Sequence, residues 1–113
     1  SIEFNNPVIA ASGTFGLGYQ QHFDLSQLGG ICTKGLTLLP KSGNDGIRIW
    51  ETASGLINSI GLENIGIKNF IKKELPYLKN LGIKIIVNIS GSTIDDYIKC
   101  VSIISKEKLI LLN

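Results

Sequence analysis

Short apolar runs alternate with amphipathic stretches along most of this chain. The apolar runs predict buried strands at residues 8–12, 30–34, 84–89 and 109–112. Apolar residues at helical spacing predict helices at residues 19–28 and 67–81, and a third helix that begins after Thr93. The pattern is therefore one of strands and helices in alternation, from a first strand to a fourth.

Local signals mark the boundaries of the predicted helices. Gly29 and Gly30 end the first helix. Pro76 lacks an N–H donor, so we expect a break or a kink inside the second helix. Thr93 with Asp96 three residues later resembles a capping box at the start of the third helix. The apolar stripe of that helix is predicted to comprise Ile94, Tyr97, Ile98, Val101 and Ile104.

The fold class follows from this alternation. Strand–helix–strand repeats predict an α/β protein with parallel strands and right-handed crossovers. Residues 36–53 interrupt the repeat with turn residues and then the alternating IRIWET, which predicts a β-hairpin excursion after the second strand. An open doubly wound sheet and part of a (β/α)8 TIM barrel both fit. A whole barrel needs about 250 residues, so a chain of 113 residues could supply only half of one.

Composition and charge exclude several classes of protein. A net charge of +2, with scattered lysines, disfavours binding to nucleic acid. Two distant cysteines and one histidine indicate neither a disulfide framework nor a metal site. No run is long enough to span a membrane and no signal peptide is recognised, so we expect a cytoplasmic protein. Because the chain ends on an apolar strand, we expect a single partial domain over residues 1–113.

Polar residues stand where all four predicted strands finish: Ser12, Lys34, Asn88 and Asn113. In parallel α/β folds, functional residues gather at these carboxyl ends. The set is suited to binding an anion without a metal. The alternative interpretation for Lys34 taken alone is a surface lysine at a strand end. Side chains alternate along a strand, so Cys32 should lie beneath Lys34, packed and unreactive.

The segment INSIGLEN, residues 57–64, mixes isoleucines with two amides, a serine and a glycine. One interpretation is structural, with Asn64 and Gly66 starting the next helix. The other is a loop that presents amides and backbone N–H groups to a flat polar ligand. The nearby GTFGLG is no dinucleotide fingerprint, because Gln21 occupies the position of the third glycine.

Four ordered segments, NPVIAASGTFG, TKGLTLLPKSGN, INSIGLEN and VNISG, resemble dihydroorotate dehydrogenase over essentially the whole chain. The TKG and GTFG segments look more like the NAD-linked branch of that family than the fumarate-linked branch. The resemblance implies an FMN-containing barrel that oxidises dihydroorotate to orotate in pyrimidine biosynthesis. It favours the N-terminal half of a (β/α)8 barrel over the open sheet. The chain departs from the family at GNDGIR, where a proline-rich turn is usual.

The resemblance also implies roles for individual residues, and no metal ligand is among them. No catalytic residue is expected within the chain, because the base of this branch is a cysteine beyond Asn113, so residues 1–113 alone should be inactive. The residues expected to bind FMN are Ser12, Lys34, Gly35, Asn88 and Asn113. Those expected to bind the substrate are Lys34, Asn58, Ser59, Ile60, Gly61, Leu62 and Asn113.

The implied partners are a second catalytic subunit and an electron-transfer subunit that carries FAD and an iron–sulfur cluster. Three alternatives to the NAD-linked enzyme stay open: the fumarate-linked branch, a non-catalytic half-barrel scaffold, and a small-molecule enzyme on an open sheet. The downstream sequence and a flavin spectrum would distinguish them.

Overall fold

The computed structural model describes residues 1–107 and 109–112, with the side chains of residues 17, 19 and 110–112 left out. Its strands, in chain order, are β1 (Ile9–Ala10), β2 (Gly30–Cys32), β3 (Ile49–Thr52), β4 (Gly55–Asn58), β5 (Lys84–Asn88) and β6 (Ile110–Leu112). Its α-helices are α1 (Ile67–Lys73), α2 (Leu75–Asn80) and α3 (Ile94–Ile104). No helix in the described ranges is long and apolar enough to cross a bilayer.

Four of these strands form a parallel sheet in the order β1-β2-β5-β6. Ile31 of β2 lies opposite Ile85 of β5, and Ile86 lies opposite Ile110 of β6. Doubly wound sheets reverse direction beside their first strand, whereas each strand here adds to the same edge. The prediction of parallel strands is confirmed, and the strands lie adjacent in chain order.

The core lies between this sheet and the helices. Alternate residues of β5, Ile85 and Val87, are buried on the helix side with Phe70 of α1 and Ile104 of α3. On the opposite face of β5, Lys84 is exposed and Ile86 and Asn88 are half-buried. Strand β5 is therefore covered well on one face only, whereas all three residues of β2 are buried.

The predicted helix over residues 19–28 is wrong. Two 3-10 turns, Leu17–Gln21 and Leu25–Gln27, stand there instead. The Asp24 carboxylate accepts from the backbone N–H of Ser26 at 3.0 Å and from its hydroxyl at 2.7 Å. Short polar side chains that bond to nearby backbone compete with the α-helix. The leucines of this segment, Leu25 and Leu28, are nevertheless buried.

The predicted break in the second helix is confirmed and lies at Glu74. Helix α1 ends at Lys73 and α2 begins at Leu75, so Pro76 is the second residue of α2. A missing N–H costs little there, because the first N–H groups of a helix have no partner within it. The Glu74 N–H still bonds to the Phe70 carbonyl at 3.0 Å.

The capping box of α3 is confirmed, but its predicted apolar stripe is partly wrong. The Thr93 hydroxyl accepts from the Asp96 N–H at 3.2 Å, and the Asp96 carboxylate accepts from the Thr93 N–H at 3.1 Å. Ile94 is 79% exposed and Ile98 is 57% exposed. Cys100 is fully buried with Ile104, so the buried face is rotated toward Cys100. Sequence spacing could not distinguish these two neighbouring faces of α3.

A two-stranded antiparallel sheet, β3 with β4, follows β2 along the chain. Trp50 pairs with Ile57, and Ile49 pairs with Asn58. The sequence interpretation ended the excursion at Ala53 and placed Ile57 and Asn58 in a loop, which is wrong because both belong to β4. Only residues 59–64 leave the strand.

Candidate functional site

The polar residues that follow β1 and β2, and the one that ends β5, lie together. The Ser12 hydroxyl donates to the Thr33 carbonyl at 2.8 Å. The Asn88 side-chain amide donates to the Ser12 oxygen at 2.9 Å. Three neighbouring strands are therefore joined at their carboxyl ends by side-chain hydrogen bonds as well as by the backbone hydrogen bonds of the sheet. The prediction that Ser12, Lys34 and Asn88 occupy one end of a parallel sheet is confirmed for these three.

An extra residue after β2 forms a bulge at this end of the sheet. Cys32 pairs with Ile86, and the next bridge pairs Leu36 with Ile89, so the β2 side has one more residue than the β5 side. Such bulges bend a strand and redirect its side chains. The Thr33 hydroxyl accepts the Asn88 N–H at 3.1 Å, and the Thr33 carbonyl is left to accept from Ser12. Lys34 lies within this bulge.

Lys34 extends over Gly13, which has a φ of +73°. A Cβ built on Gly13 would lie 3.1 Å from Lys34 Cδ and 3.4 Å from Nζ, so a glycine suits both the conformation and the close approach. The lysine side chain is exposed. Within the described residues the ion pairs join Arg48 to Glu63 and Lys79 to Glu107, so the Lys34 ammonium has no carboxylate partner there. Its charge is available to an anion.

Cys32 is buried, as predicted. Burial raises the pKa of its thiol, which a hydrogen bond involving Ser12 opposes in part. Burial, together with the negative charge of Asp96, also raises the pKa of the Cys100 thiol. A raised pKa leaves little thiolate at neutral pH, and the thiolate is the reactive form. That the Cys32 thiol is unreactive stays a prediction.

A contact between Gly35 and Leu62 places the loop of residues 59–62 beside Lys34 and Asn88. A Cβ on Gly35 would lie 2.9 Å from Leu62 Cδ1 and 3.7 Å from the Asn88 side-chain nitrogen. Leu62 has a φ of 59°, which makes it a left-handed residue with a side chain. That conformation costs on the order of 1–2 kcal/mol, and such residues persist where surrounding contacts hold them. The loop over residues 59–62 is thus held against Gly35 in a strained form.

Asn44 supports the same loop, and sequence reasoning did not identify it as a site residue. Its backbone N–H donates to the Ile60 carbonyl at 3.0 Å, and its side-chain amide donates to the Ser59 hydroxyl at 2.9 Å. Gly61, with a φ of +78°, leaves no room for a Cβ beside Asn44. The only sequence signal was the turn composition of GNDG. Asn58 ends β4 with its side chain exposed.

Asn64 confirms the structural interpretation of the end of INSIGLEN. Its side-chain oxygen accepts from the Gly66 N–H at 2.9 Å, immediately before α1 begins at Ile67. Its backbone N–H and carbonyl both pair with Lys41 at 2.9 Å. The structural interpretation therefore holds at Asn64, which anchors the loop of residues 59–62. That this loop binds a flat polar ligand stays a prediction.

Comparison with known proteins identifies the family. The family model for dihydroorotate dehydrogenase matches residues 1–113. The chain belongs to the dihydroorotate dehydrogenase family. A protein of Petrotoga mobilis named "Dihydroorotate dehydrogenase B (NAD(+)), catalytic subunit" is 56% identical over 110 residues, which cover 96% of this chain and 35% of that protein. Proteins with the same name from Thermodesulfovibrio yellowstonii and a Thermoanaerobacter species are 51% identical over 94% of the chain and 50% identical over 85%.

The chain spans about a third of the length of those relatives, which is 35%, 36% and 32% in the three cases. The family match confirms the resemblance seen in the four sequence segments. Asn113, which was expected to contact both flavin and substrate, lies outside the described residues. Among the residues that are described, no group of histidine, cysteine and carboxylate side chains could hold a metal ion.

Proposed function

We propose that this chain is the N-terminal part of the catalytic subunit of an NAD-linked dihydroorotate dehydrogenase, the whole of which is here called the complete subunit. It would oxidise dihydroorotate to orotate in pyrimidine biosynthesis, and this chain would form the first half of its (β/α)8 barrel. The single observation that carries the proposal is the hydrogen-bonded set of Ser12, Thr33 and Asn88 at one end of the sheet, beside Lys34, which has no ion-pair partner among the described residues. The names of the three relatives and the chain-order parallel sheet support it.

The residues at this edge fit FMN. At Gly13 and Gly35 a Cβ would press on Lys34 and Leu62, so glycine at these two positions lets both side chains lie close to the backbone beside the proposed flavin site. Ser12 and Asn88 offer a hydroxyl and an amide, which suit the carbonyls and N–H groups of an isoalloxazine. FMN would accept the hydride removed from dihydroorotate when it is bound. Ser12, Lys34, Gly35, Asn88 and Asn113 are the residues we assign to it.

The substrate would lie between Lys34 and the loop of residues 59–62. Dihydroorotate carries a carboxylate, which the Lys34 ammonium would neutralise. Backbone N–H groups of the loop and the Asn58 amide would pair with the pyrimidine carbonyls and N–H groups, with Asn113 completing the set. The general base would be a cysteine beyond Asn113, so this chain would orient the substrate and hold its charge but would not remove the proton.

The complete subunit would work with other chains. The names of the relatives include "catalytic subunit", which supports a separate electron-transfer subunit. We assign to that partner FAD and an iron–sulfur cluster that pass electrons from FMN to NAD. A homodimer of complete subunits in the cytoplasm is the proposed setting.

The experiment is to purify the complete subunit and record its visible absorbance spectrum and its reduction by dihydroorotate. A yellow protein whose flavin is bleached by dihydroorotate, and reoxidised through the partner subunit by NAD, is the expected result. A colourless protein would favour the scaffold alternative, and rapid reoxidation by fumarate without a partner would favour the fumarate-linked branch.

A further inference from the structure

The side chain of Asn64 joins the loop of residues 59–62 to the segment that follows β2. Its oxygen accepts from the backbone N–H of Thr37 at 3.1 Å and from that of Gly66 at 2.9 Å. Its nitrogen donates to the Leu62 carbonyl at 2.9 Å and to the Thr37 hydroxyl oxygen at 3.0 Å. The half-buried amide therefore has four partners on three parts of the chain.

These partners determine which way the amide is oriented. Two of them are backbone N–H groups, which only the oxygen can accept, and the Leu62 carbonyl can only be met by the nitrogen. The Thr37 hydroxyl donates to the Leu39 carbonyl at 2.6 Å, which leaves its oxygen to accept from Asn64. The side-chain oxygen of Asn64 therefore acts only as an acceptor and the nitrogen only as a donor, and both have protein partners. A surface amide would instead bond mainly to water.

The donation to Leu62 is the contact that reaches the site. Leu62 is the left-handed residue whose side chain lies against Gly35, next to Lys34 in the sequence. Backbone pairing of Asn64 with Lys41 holds the base of the loop whatever side chain stands at position 64. The side chain adds a hydrogen bond to the carbonyl of Leu62 itself, whose direction is set by the ψ angle of Leu62, so it acts on the backbone conformation of that residue.

We propose that Asn64 is a positioning residue for the substrate. Its amide holds Leu62 in the left-handed conformation, so that the loop of residues 59–62 is formed before the pyrimidine binds. Preorganisation of this kind raises affinity by removing the cost of ordering the loop. The inference rests on the proposed function, and Asn64 itself is not assigned a contact with substrate or flavin.

The test is Asn64→Asp in the FMN-loaded complete subunit. The carboxylate keeps both acceptor contacts with backbone N–H groups but has no donor for the Leu62 carbonyl at neutral pH. Loss of such a hydrogen bond is expected to weaken orotate binding, measured by the change in the flavin spectrum, by about tenfold or more. The KM for dihydroorotate should rise by a similar factor, while flavin content and kcat change less than about threefold.

Acid pH supplies a readout that a general loss of stability would not give. The carboxyl group that the variant carries at position 64 is again a donor once it is protonated, so lowering the pH from about 7 toward about 4, the ordinary range of an aspartate, should restore part of the orotate affinity. The unchanged protein has no such group at this position and should show no matching gain. The gain is measured as the ratio of orotate affinities of the two proteins at each pH.

Asn6→Asp is the matched control. The Asn6 oxygen accepts from the Val8 N–H at 3.0 Å and its nitrogen donates to the Gln27 carbonyl at 3.0 Å, so the same substitution removes the same kind of donor. It precedes β1, at the opposite end of the sheet from Ser12. Orotate affinity in this control should stay within about twofold of the unchanged protein. If Asn64→Asp does not fold, Asn64→Gln, which displaces the same amide by one methylene, should show the same loss of orotate affinity with flavin retained.

The outcomes separate the inference from the proposed function. Unchanged orotate affinity in both Asn64 variants, or losses equal to that of Asn6→Asp, would overturn the positioning role and leave the enzyme assignment standing. Loss of flavin in parallel with loss of orotate would also overturn it, because Asn64 would then support the whole fold. A complete subunit that binds neither FMN nor orotate before any substitution would overturn the proposed function itself.

Discussion

The side-chain amide of Asn88 donates to the hydroxyl of Ser12 at 2.9 Å although β2 lies between the strands that carry them. The two residues are 76 positions apart in the sequence. The Ser12 hydroxyl in turn donates to the Thr33 carbonyl. The hydrogen bond between Asn88 and Ser12 therefore crosses the bulge that follows β2. The relationship makes one polar surface from three separate strand ends, and substitutions at this surface should therefore change ligand binding more than they change stability.

Ser12→Ala in the complete subunit should lower FMN affinity by about tenfold, because it leaves the Thr33 carbonyl and the Asn88 amide without their shared partner. The free energy of unfolding should fall by about 1 kcal/mol. Flavin titration by fluorescence quenching and denaturant unfolding measure the two effects. Ser102→Ala is the control, since it removes an exposed hydroxyl that donates to the Ile98 carbonyl at 2.8 Å on α3. Equal effects of the two variants on FMN affinity would contradict the assignment of Ser12.

Lys34→Ala should reduce kcat/KM for dihydroorotate by about 100-fold, since a charge-assisted bond to the substrate carboxylate is lost. Lys34→Arg should restore little, because a planar guanidinium cannot take the place of a compact ammonium above Gly13. Steady-state kinetics with the FMN-loaded protein measure both. Lys72→Ala, on the exposed side of α1, should leave kcat/KM unchanged. Near-normal turnover in either Lys34 variant would make Lys34 a surface lysine only.

Cys32 should react with a thiol reagent far more slowly in the folded complete subunit than in denaturant at pH 7.5, by about 100-fold or more. Its buried thiol has a raised pKa, so reaction should accelerate only as the pH passes above the ordinary range of cysteine. The buried neutral thiol of Cys32 therefore contributes to the free energy of unfolding in a pH-dependent way. Its contribution is fully present below the pKa of the thiol in the unfolded chain and is lost as the pH rises through its pKa in the folded protein. Peptide mapping of Cys32 by mass spectrometry measures the rate. Rapid labelling at neutral pH would show that the sheet opens at this edge.

Gly35→Ala should weaken orotate binding by about tenfold and change the free energy of unfolding by less than about 1 kcal/mol. The new methyl group would meet Leu62 Cδ1 at 2.9 Å. That atom is the end of a flexible side chain, so Leu62 would move aside and the loop with it, at little cost to the core. Gly18→Ala is the control, because its Cβ would meet nothing within 4 Å. Orotate titration followed in the flavin spectrum is the measurement, and equal binding by both variants would remove Gly35 from the site.

The sequence by itself determined those features that depend on residues close together in the chain. The break at Glu74, the capping box of Thr93 with Asp96, and the polar ends of the strands at Ser12, Lys34 and Asn88 all follow from local backbone chemistry and side-chain alternation. The resemblance of four ordered segments was likewise enough to identify the family.

Tertiary structure alone decided the rest, because it depends on partners that are distant in sequence. The buried face of α3 turned toward Cys100 because of what it packs against, which the spacing of Ile94 and Ile98 does not record. The bulge at Lys34 exists only as a mismatch between β2 and β5. The role of Asn64 depends on Thr37, 27 residues away. An asparagine side chain can hydrogen-bond within a turn in many sequences. Only the positions of its partners in the tertiary structure show that Asn64 holds the strained loop.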